Sequence, residues 1–569
     1  MVAGAQTLSL DDTFLAPQIL HPPPTRHALL AFLLALTAML HIGTAAWGDL
    51  YDGAEGQLAG GAREMLDSKQ WLLPTNDGAP LLQTPPLAYW AIAISFKVFG
   101  LSAAAARLPI ALAMLGSVAL TFLIGERLAG YWRGFAAGLI HVCSAGAFLP
   151  GRMVTPDAIF SLFIAAAIYC AVRGYQKQKF RQAWFAGFWF AASFASLTKG
   201  PGALIYLAAI CGLLAILFRE ARLRFRLLLH WRNVALFVLL VAPWFVWAHQ
   251  HFPGFLSPSS NWIHSTTDLP RRRFLLFQFA WCFPAIFLVL PGLIFAPRKI
   301  FRPDEFTFAD ALPLSWTVVA LLAALLIGGG HAYSSIVALP GFALFAACAW
   351  ERTSRPLRKA GLGVCLFAGV AVVTSAILSP AILGLKSERP FPDAPWLLMR
   401  PMAQLAVCLL FVFSVVAVFF VRKSRAEIAL TIILGSMVPI GFCLVESASR
   451  LAPFFSLADA ADYLNPRLDQ HGEVVYEGSL RSGSSLSFYL DKKFFLVNQM
   501  PTAFERDPAA QNKYLDEHFL LEAWDGSNPI YLIVDEERVS YWRKLITNRV
   551  HIYHQVTTCG SRVVLSNQL

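Results

Sequence analysis

Long apolar segments recur along almost the whole of this 569-residue chain, and they constrain its fold more than any other feature. About thirteen of them are long enough to cross the hydrocarbon core of a bilayer, which is roughly 30 Å thick. They lie near residues 28–47, 104–124, 133–150, 157–172, 183–197, 202–218, 233–248, 274–296, 311–329, 333–350, 361–384, 401–421 and 427–446. Because 57% of the residues are hydrophobic and 14% are charged, a soluble globular protein is excluded. The sequence therefore predicts an α-helical polytopic membrane protein with about 13 transmembrane helices.

Lysine and arginine residues fall in short clusters between the apolar segments, so the net charge of +11 does not require a nucleic-acid partner. Most of them lie in one alternate set of connections, at Arg26, Arg127, Arg133, 173–181, 219–232, 298–302, 352–359 and 422–425. That side is predicted to face the cytoplasm. We therefore expect a multi-pass protein of the inner (plasma) membrane, with a cytoplasmic tail (1–27), a transmembrane domain (28–450) and an extracytoplasmic, periplasmic C-terminus.

The first outer loop, 49–103, carries two predicted helices rather than a plain linker. In residues 54–66, apolar side chains recur at helical spacing among charged ones. That pattern is typical of an amphipathic helix lying along the membrane surface. Pro85 and Pro86 then open a second apolar segment, 87–99, which is too short to span a bilayer and is predicted to be a second interfacial helix.

Polar residues become more frequent after residue 450, and the composition of 451–569 predicts a small α/β domain on the outer side. A helix is predicted over 536–545. Strands are predicted at 473–477, 486–490, 493–498, 530–534 and 562–565. The Gly/Ser-rich segment 478–485 lacks both the GxGxxG and the P-loop pattern, so it is interpreted as a loop rather than a nucleotide site.

Ionisable residues at the ends of membrane helices are costly, and those on the predicted outer side form one candidate site. They are Asp52, Glu55, Arg152, Asp157, Lys199, His264, Arg271 and His331, and Tyr333 adds a phenol group close to His331 in the sequence. Transfer of a sugar from a lipid phosphate needs a carboxylate to deprotonate the acceptor hydroxyl and cations to hold the leaving phosphate. Taken singly, each has a structural alternative, such as a helix cap at Asp157 or a snorkelling side chain at Lys199.

One stretch, residues 62–90, reads AREMLDSKQWLLPTNDGAPLLQTPPLAYW. Together with RMVTPD at 152–157, LTKGP at 197–201, APW at 242–244 and HAYSSIVALP at 331–340, it resembles the GT-C membrane glycosyltransferases of the aminoarabinose-lipid A transferase and dolichyl-phosphate-mannose protein mannosyltransferase type (families 39 and 83). The resemblance extends over nearly the whole chain. It implies a GT-C fold and an active site on the outer face of the membrane.

The resemblance also implies roles for individual residues. A first-loop carboxylate would act as the base toward the acceptor, and a second acid and basic residues would bind the lipid phosphate; Asp157 and Lys199 match their family positions directly. Counting back from Arg63, Glu55 falls on the second acid of the family's Asp-Glu pair and Ala54 on the first. Asp52 reaches the first position only after a shift of two residues, so Asp52 and Glu55 are rival candidates for the base.

The segment before Tyr89 departs from the family pattern. Gln83 and Thr84 stand where many members carry Glu-Lys, so an acid and a cation are missing near the expected sugar pocket. Gln and Thr can hydrogen-bond sugar hydroxyls but cannot pair with a charged amine or phosphate. A neutral hexose or pentose therefore fits the predicted donor at least as well as aminoarabinose does.

The leading hypothesis is a glycosyltransferase that moves a sugar, with inversion, from an undecaprenyl-phosphate-type (polyprenyl-phosphate) donor to a lipid, glycan or protein acceptor outside the membrane. A lipid-linked sugar transporter or flippase is the first alternative, and a non-catalytic envelope assembly protein is the second. The nine cysteines show no CxxC metal motif or disulfide framework. No cofactor is predicted, and a requirement for a divalent metal ion is left open because no ligand spacing indicates it.

Overall fold

The computed structural model describes residues 25–82, 84–176, 179–252, 277–301, 305–326, 334–378, 393–468, 472–499, 513–547 and 552–568. Over this part of the chain, helices dominate the N-terminal four-fifths and a mixed sheet lies near the C-terminus. The first eleven helices are α1 (Arg26–His41), α2 (Ala54–Ser68), α3 (Leu87–Phe99), α4 (Ala103–Ala129), α5 (Tyr131–Val142), α6 (Ala145–Phe148), α7 (Pro156–Gln176), α8 (Arg181–Lys199), α9 (Gly202–Leu217), α10 (Arg219–Phe225) and α11 (Trp231–His251).

The later helices complete the membrane domain and cover the sheet. They span Ala285–Phe295, Pro297–Phe301, Phe308–Leu326, Leu339–Arg352, Arg355–Leu378, Asp393–Arg422, Ala426–Arg450, Ala452–Phe455, Ala458–Leu464, Leu486–Tyr489, Glu517–Trp524 and Val539–Thr547. Short 3-10 turns lie at Arg226–Leu229, Ser334–Val337 and Glu536–Arg538. The strands are β1 (Thr75–Asn76), β2 (Ala79–Pro80), β3 (Glu473–Glu477), β4 (Phe495–Val497), β5 (Tyr514–Leu515), β6 (Ile530–Asp535), β7 (His554–Cys559) and β8 (Arg562–Ser566).

Five of the described helices are long and apolar enough to cross a membrane: α4, α7, α11 and those over Leu398–Arg422 and Ala426–Arg450. Shorter apolar helices include α1, α3 and α9. The chain is thus a polytopic membrane protein, and the total of about thirteen spans remains a prediction. Two predicted spans differ in detail. The segment 28–47 is helical only to His41, and 133–150 is divided where Cys143 and Ser144 leave the helix before α6.

The antiparallel pair α7 and α8 brings the ends of two predicted spans together. Phe160, Ile164 and Ile168 of α7 share one buried core with Phe188 and Ala192 of α8. The α7 helix ends at Gln176 and α8 begins at Arg181. Because the helices run in opposite directions, the first turn of α7 and the last turn of α8 lie at the same end of the domain.

The first outer loop contains both predicted helices, α2 and α3, and their bounds agree with the sequence pattern. Between them, β1 and β2 form a hairpin whose turn residues, Asp77 and Gly78, have φ of 53° and 83°. Positive φ at both central positions gives the turn type that best matches the strand twist. This loop is therefore a compact unit.

The prediction that α2 lies along the membrane surface is wrong about what its apolar face contacts. Leu58, Ala62 and Met65 are at most 3% exposed, and they pack with Tyr89 of α3 and Phe488 of the C-terminal domain. These side chains are covered by protein on both sides. They are therefore not available to insert into lipid.

The C-terminal domain is built on a six-stranded sheet with the order β5-β4-β3-β6-β8-β7. The strands β5, β4, β3 and β6 are parallel, and β8 and β7 close one edge as an antiparallel pair. Four predicted strands coincide with β3, β4, β6 and β8. The strand predicted at 486–490 is instead a helical turn, Leu486–Tyr489, because Phe488 is drawn into the contact with α3, where its ring lies 5.5 Å from that of Phe96.

Candidate functional site

A buried ion pair joins the adjacent ends of α7 and α8. The Lys199 Nζ lies 2.7 Å from Asp157 Oδ1, and the Asp157 residue is 1% exposed. Asp157 occupies the first turn of α7, where the helix dipole favours a negative charge. The Lys199 side chain keeps 31% of its surface exposed, so the ammonium group can contact a ligand while it stays paired with Asp157.

A cavity of about 330 Å³ lies at the end of α1, and its wall includes Arg152 and Met153 of the segment that leads into α7. Its walls come from the turn that precedes α7, from the C-terminus of the helix Ala426–Arg450 and from the start of the first outer loop. Aromatic side chains form much of the wall. They are Trp47, Tyr51, Trp281 and Phe455. The charged residues that line it are Asp49, Glu55, Arg107 and Arg152.

The two arginines of the cavity hold the carboxyl end of α1. Arg107 Nη1 donates to the carbonyl oxygens of Ala45 and Gly48 at 3.0 and 2.7 Å. Arg152 Nη2 donates to the carbonyl oxygen of Thr44 at 2.8 Å. Carbonyl oxygens need hydrogen-bond donors where the chain is buried, so these bonds stabilise the turns between α1 and the first outer loop.

Two guanidinium groups in one wall make the cavity electropositive at that point. Burial and the neighbouring charge of Arg107 lower the pKa of Arg152 to about 10. The Nε atoms of both side chains lack a hydrogen-bond partner among the described residues. The positive charge of the two guanidinium groups favours an anionic ligand in the cavity.

Glu55 connects the first outer loop to the segment that leads to Asp157. The residue is 3% exposed, its Oε2 accepts from the backbone N–H of Tyr51 at 3.0 Å, and its Oε1 accepts from that of Val154 at 2.8 Å. Arg107 Nη2 lies 3.8 Å from Oε2. These contacts fix the orientation of the Glu55 carboxylate in the cavity wall.

Asp52 faces another part of the molecule. Its Oδ1 accepts from the backbone N–H of Ser485 at 2.9 Å and from the Ser485 hydroxyl at 2.6 Å. Asp52 is not among the residues that line the cavity. Of the rival bases, the structure therefore brings Glu55, but not Asp52, together with Arg152.

Two residues of the cavity were missed by sequence reasoning. Asp49 is the first acid after the first apolar segment, and burial, followed by the negative charge of Asp459, raises the pKa of its carboxyl. The family pattern, counted back from Arg63, pointed to Glu55 and not to Asp49. Arg107, which is 2% exposed, lies inside a predicted span, and its only sequence signal was an arginine near the outer end of an apolar segment.

The remaining candidate residues separate into two groups. Tyr89 is 3% exposed, and its ring packs so close to Gly61 that a Cβ there would lie 2.8 Å from Tyr89 Cε1. In the structure the ring packs between α3 and α2, and a contact of Tyr89 with substrate stays a prediction. Thr84 is partly exposed just before α3. Predicted substrate-binding residues outside the described part of the chain are Gln83, His264, Arg271, His331 and Tyr333.

Comparison with known proteins gives a matching family model and a similar solved fold. The family model described as dolichyl-phosphate-mannose-protein mannosyltransferase matches residues 83–247, which contain Arg107, Arg152, Asp157 and Lys199. The structure of ArnT from Cupriavidus metallidurans in the apo state superposes with a TM-score of 0.79 at 17% identity, covering 95% of this chain and 97% of that one. The same protein bound to undecaprenyl phosphate gives 0.78 at 18% identity, with coverages of 95% and 98%.

The fold is that of the GT-C glycosyltransferases. The resemblance deduced from residues 62–90 is thereby confirmed. An uncharacterised protein of Aquifex aeolicus is 28% identical over 153 residues, which is 27% of this chain and 30% of that protein. The chain thus aligns with less than a third of that relative.

Asp49, Asp52 and Glu55 precede the segment that the family model matches. The roles of these first-loop acids are therefore inferred from the geometry of this chain alone. Within the described residues, no three His, Cys, Asp or Glu side chains come together in a group that could hold a metal ion.

Proposed function

We propose that the protein transfers a sugar from a polyprenyl-phosphate donor, of the undecaprenyl-phosphate type, to a hydroxyl group of a lipid, glycan or protein acceptor on the outer face of the inner membrane. The observation that carries the proposal is the cavity at the end of α1, whose wall includes Arg152 and Met153 of the segment that leads to the buried pair of Asp157 and Lys199. The short segment 152–157 connects the two. A carboxylate and a cation for sugar transfer thus lie in one part of a GT-C fold.

Lys199 is the proposed ligand of the donor phosphate. Breaking the bond between the anomeric carbon and the phosphate oxygen leaves negative charge on the lipid phosphate, and a nearby ammonium group stabilises that charge. Asp157 holds the Lys199 ammonium at 2.7 Å, which limits the positions that the lysine side chain can take. Asp157 is therefore proposed to position the cation.

Glu55 is the proposed acceptor of the hydroxyl proton, because it is the one rival base whose residue lines the cavity. The nucleophilic oxygen would attack the anomeric carbon while its proton passes to the carboxylate, which inverts the configuration. The flat rings of Trp47 and Trp281 offer apolar surface to a sugar ring, and the Arg152 guanidinium offers N–H donors to its hydroxyls. Neutral Gln83 and Thr84 extend the proposed donors to neutral hexoses and pentoses besides aminoarabinose.

The proposal is tested in vesicles that contain the purified protein, a labelled undecaprenyl-phosphate sugar and envelope lipid extract. We expect D157A, K199A and E55Q each to lower the transfer rate by on the order of 10²-fold or more, since a positioned base or charge contributes about that much. Product formation is measured by thin-layer chromatography. The transport alternative predicts instead that the labelled lipid crosses the bilayer unchanged.

Asp310 supplies the matched control. It forms another buried pair, with Arg352 Nη2 2.5 Å from Asp310 Oδ1, on the predicted cytoplasmic side. The variant D310N should lose stability but keep its transfer rate per folded molecule. Transfer at the wild-type rate by D157A would remove the pair from the mechanism.

A further inference from the structure

We propose that the C-terminal α/β domain positions the active-site loop of the membrane domain, and that Ser485, by binding Asp52, is the positioning residue. Asp52 is then a tether rather than the base. The inference rests on the proposed function, because the segment it positions carries Glu55. It gives the outer domain a defined role in sugar transfer.

The sheet topology places the relevant loop at a special edge of the domain. From β3 the chain moves outward through β4 to β5 on one side, and β6 then pairs with the other side of β3. The strand order therefore reverses between β3 and β6. In open α/β sheets, ligands bind beyond the carboxyl ends of the strands at such a reversal. The loop that follows β3 is the Gly/Ser-rich segment 478–485.

Residues of the first outer loop of the same chain bind to this Gly/Ser-rich segment. The Ser485 backbone N–H and hydroxyl both donate to Asp52 Oδ1. The Gly53 N–H donates to Ser484 Oγ at 2.8 Å and to the carbonyl oxygen of Arg481 at 3.0 Å. The Ser484 hydroxyl lies 3.2 Å from the Gly53 carbonyl oxygen. The edge that commonly receives an anionic ligand thus receives a carboxylate of the same chain.

The contact fixes the start of α2. Gly53 precedes the helix with φ of 87°, and Glu55 lies in its first turn. Gly56 follows at a close backbone approach, since a Cβ at this position would lie 2.6 Å from the Ser485 nitrogen. Any movement of the outer domain at Ser485 is therefore transmitted to the turn that carries Glu55.

Other contacts brace the same interface from both sides. The Leu50 N–H donates to the Tyr489 hydroxyl at 2.8 Å. From α2, the Arg63 guanidinium donates to the carbonyl oxygens of Phe488 and Leu490 at 2.7 and 2.9 Å. The helical turn that follows Ser485 is thus held to the first outer loop before and after Asp52.

The test separates a tether from a base by comparing D52A with D52N. Asparagine keeps an oxygen that accepts both Ser485 hydrogen bonds but cannot take up a proton from the acceptor. We expect D52A and S485A to lower kcat by on the order of tenfold to a hundredfold, the usual effect of a small misplacement. D52N and S485T should retain most of the wild-type kcat. Equal inactivity of D52N and D52A, or unchanged kcat in S485A, would overturn the proposal.

The matched control is S479A in the same loop. The Ser479 hydroxyl bonds within the loop, to Ser482 Oγ at 3.1 Å, and makes no described contact with the first outer loop. This variant should transfer sugar at the wild-type rate. A loss equal to that of S485A would assign the effect to the loop's own fold and contradict the role of Asp52.

A second measurement does not depend on sugar transfer. Hydrogen exchange of the amides in residues 50–62, followed by mass spectrometry, should become faster in D52A and S485A than in wild type and S479A. Unchanged exchange in both variants would refute the tether. If exchange changes as expected but no protein transfers sugar, the proposed function fails while the tether stands.

Discussion

Three carboxylates of the first outer loop differ in what their oxygens contact, although they lie within one short segment. Asp49 and Glu55 line the cavity, and Glu55 is held by two backbone N–H groups. Asp52 is held by Ser485 of the outer domain. Residue type and spacing could not separate these roles, because each role depends on a partner that is distant in sequence, such as Val154 or Ser485.

The titration of Asp52 gives a pH prediction. Burial raises the pKa of Asp52 to about 6, while the Ser485 hydrogen bonds and the charge of Arg562 oppose that rise. As the pH falls through about 6, the carboxylate becomes neutral and its charge-assisted bonds weaken. Protonated Asp52, like asparagine, keeps an oxygen that accepts both Ser485 bonds. We therefore expect the wild-type transfer rate to fall below about pH 6 only to the level of D52N, and the D52N rate not to change with pH in this range.

Thermal unfolding distinguishes this effect from acid denaturation. The folded pKa of Asp52 lies above the ordinary aspartate value of 3.8, so the folded state binds the proton more tightly than the unfolded state. The charged carboxyl lowers stability above about pH 6, and this cost disappears as the pH falls toward about 4. Titration of Asp52 alone would therefore raise the melting temperature while transfer declines. If the loss of activity at low pH persisted in D52N, a group other than Asp52 would be responsible for it.

At the scale of elements, α2 depends on the absence of side chains along one face. Gly56 lies against Ser484 and Ser485, so G56A would force a Cβ to within 2.6 Å of a backbone nitrogen. We expect G56A to destabilise the protein by about 1–3 kcal/mol, the usual cost of overpacking, and to lower sugar transfer. Unfolding and transfer of the purified variant measure both effects.

The control for this glycine lies in α9. A Cβ at Gly212 would meet nothing within 4 Å, so G212A should leave transfer intact and stabilise the helix by about 0.5–1 kcal/mol. If G56A behaved like G212A, the close approach of α2 to the outer domain would not matter for the fold.

The sequence predicted best those helices and strands whose residue pattern is local. Helical periodicity and the Pro85-Pro86 pair placed α2 and α3 almost to the residue, and β-rich composition located β3, β4, β6 and β8. Tertiary contacts decided the rest. The alternating apolar residues of 486–490 predicted a strand, but Phe488 packs against α3 and the segment closes into a helical turn. The cavity joins residues of five separate stretches of the chain, so no single pattern could reveal it.

At the scale of the whole molecule, the membrane domain and the sheet domain share a polar interface. Asp77, at the tip of the β1–β2 hairpin, forms an ion pair with Lys513, and both side chains are 7% exposed. Arg63 of α2 lies 3.0 Å from Asp491. Together with the contact between Asp52 and Ser485, these pairs require the first outer loop and the sheet domain to lie on the same side of the membrane.

That requirement can be tested together with the predicted orientation. Ser479 is exposed in the sheet domain, and Lys423 is exposed between the last two long membrane helices. In a protein whose exposed native cysteine, Cys408, is replaced by serine, S479C should react with a membrane-impermeant maleimide in spheroplasts, which lack an outer membrane barrier. K423C should react only after the inner membrane is opened, because the Lys/Arg-rich connections are predicted to face the cytoplasm. The reverse labelling would invert the topology, and the proposed transfer would then take place on the cytoplasmic face.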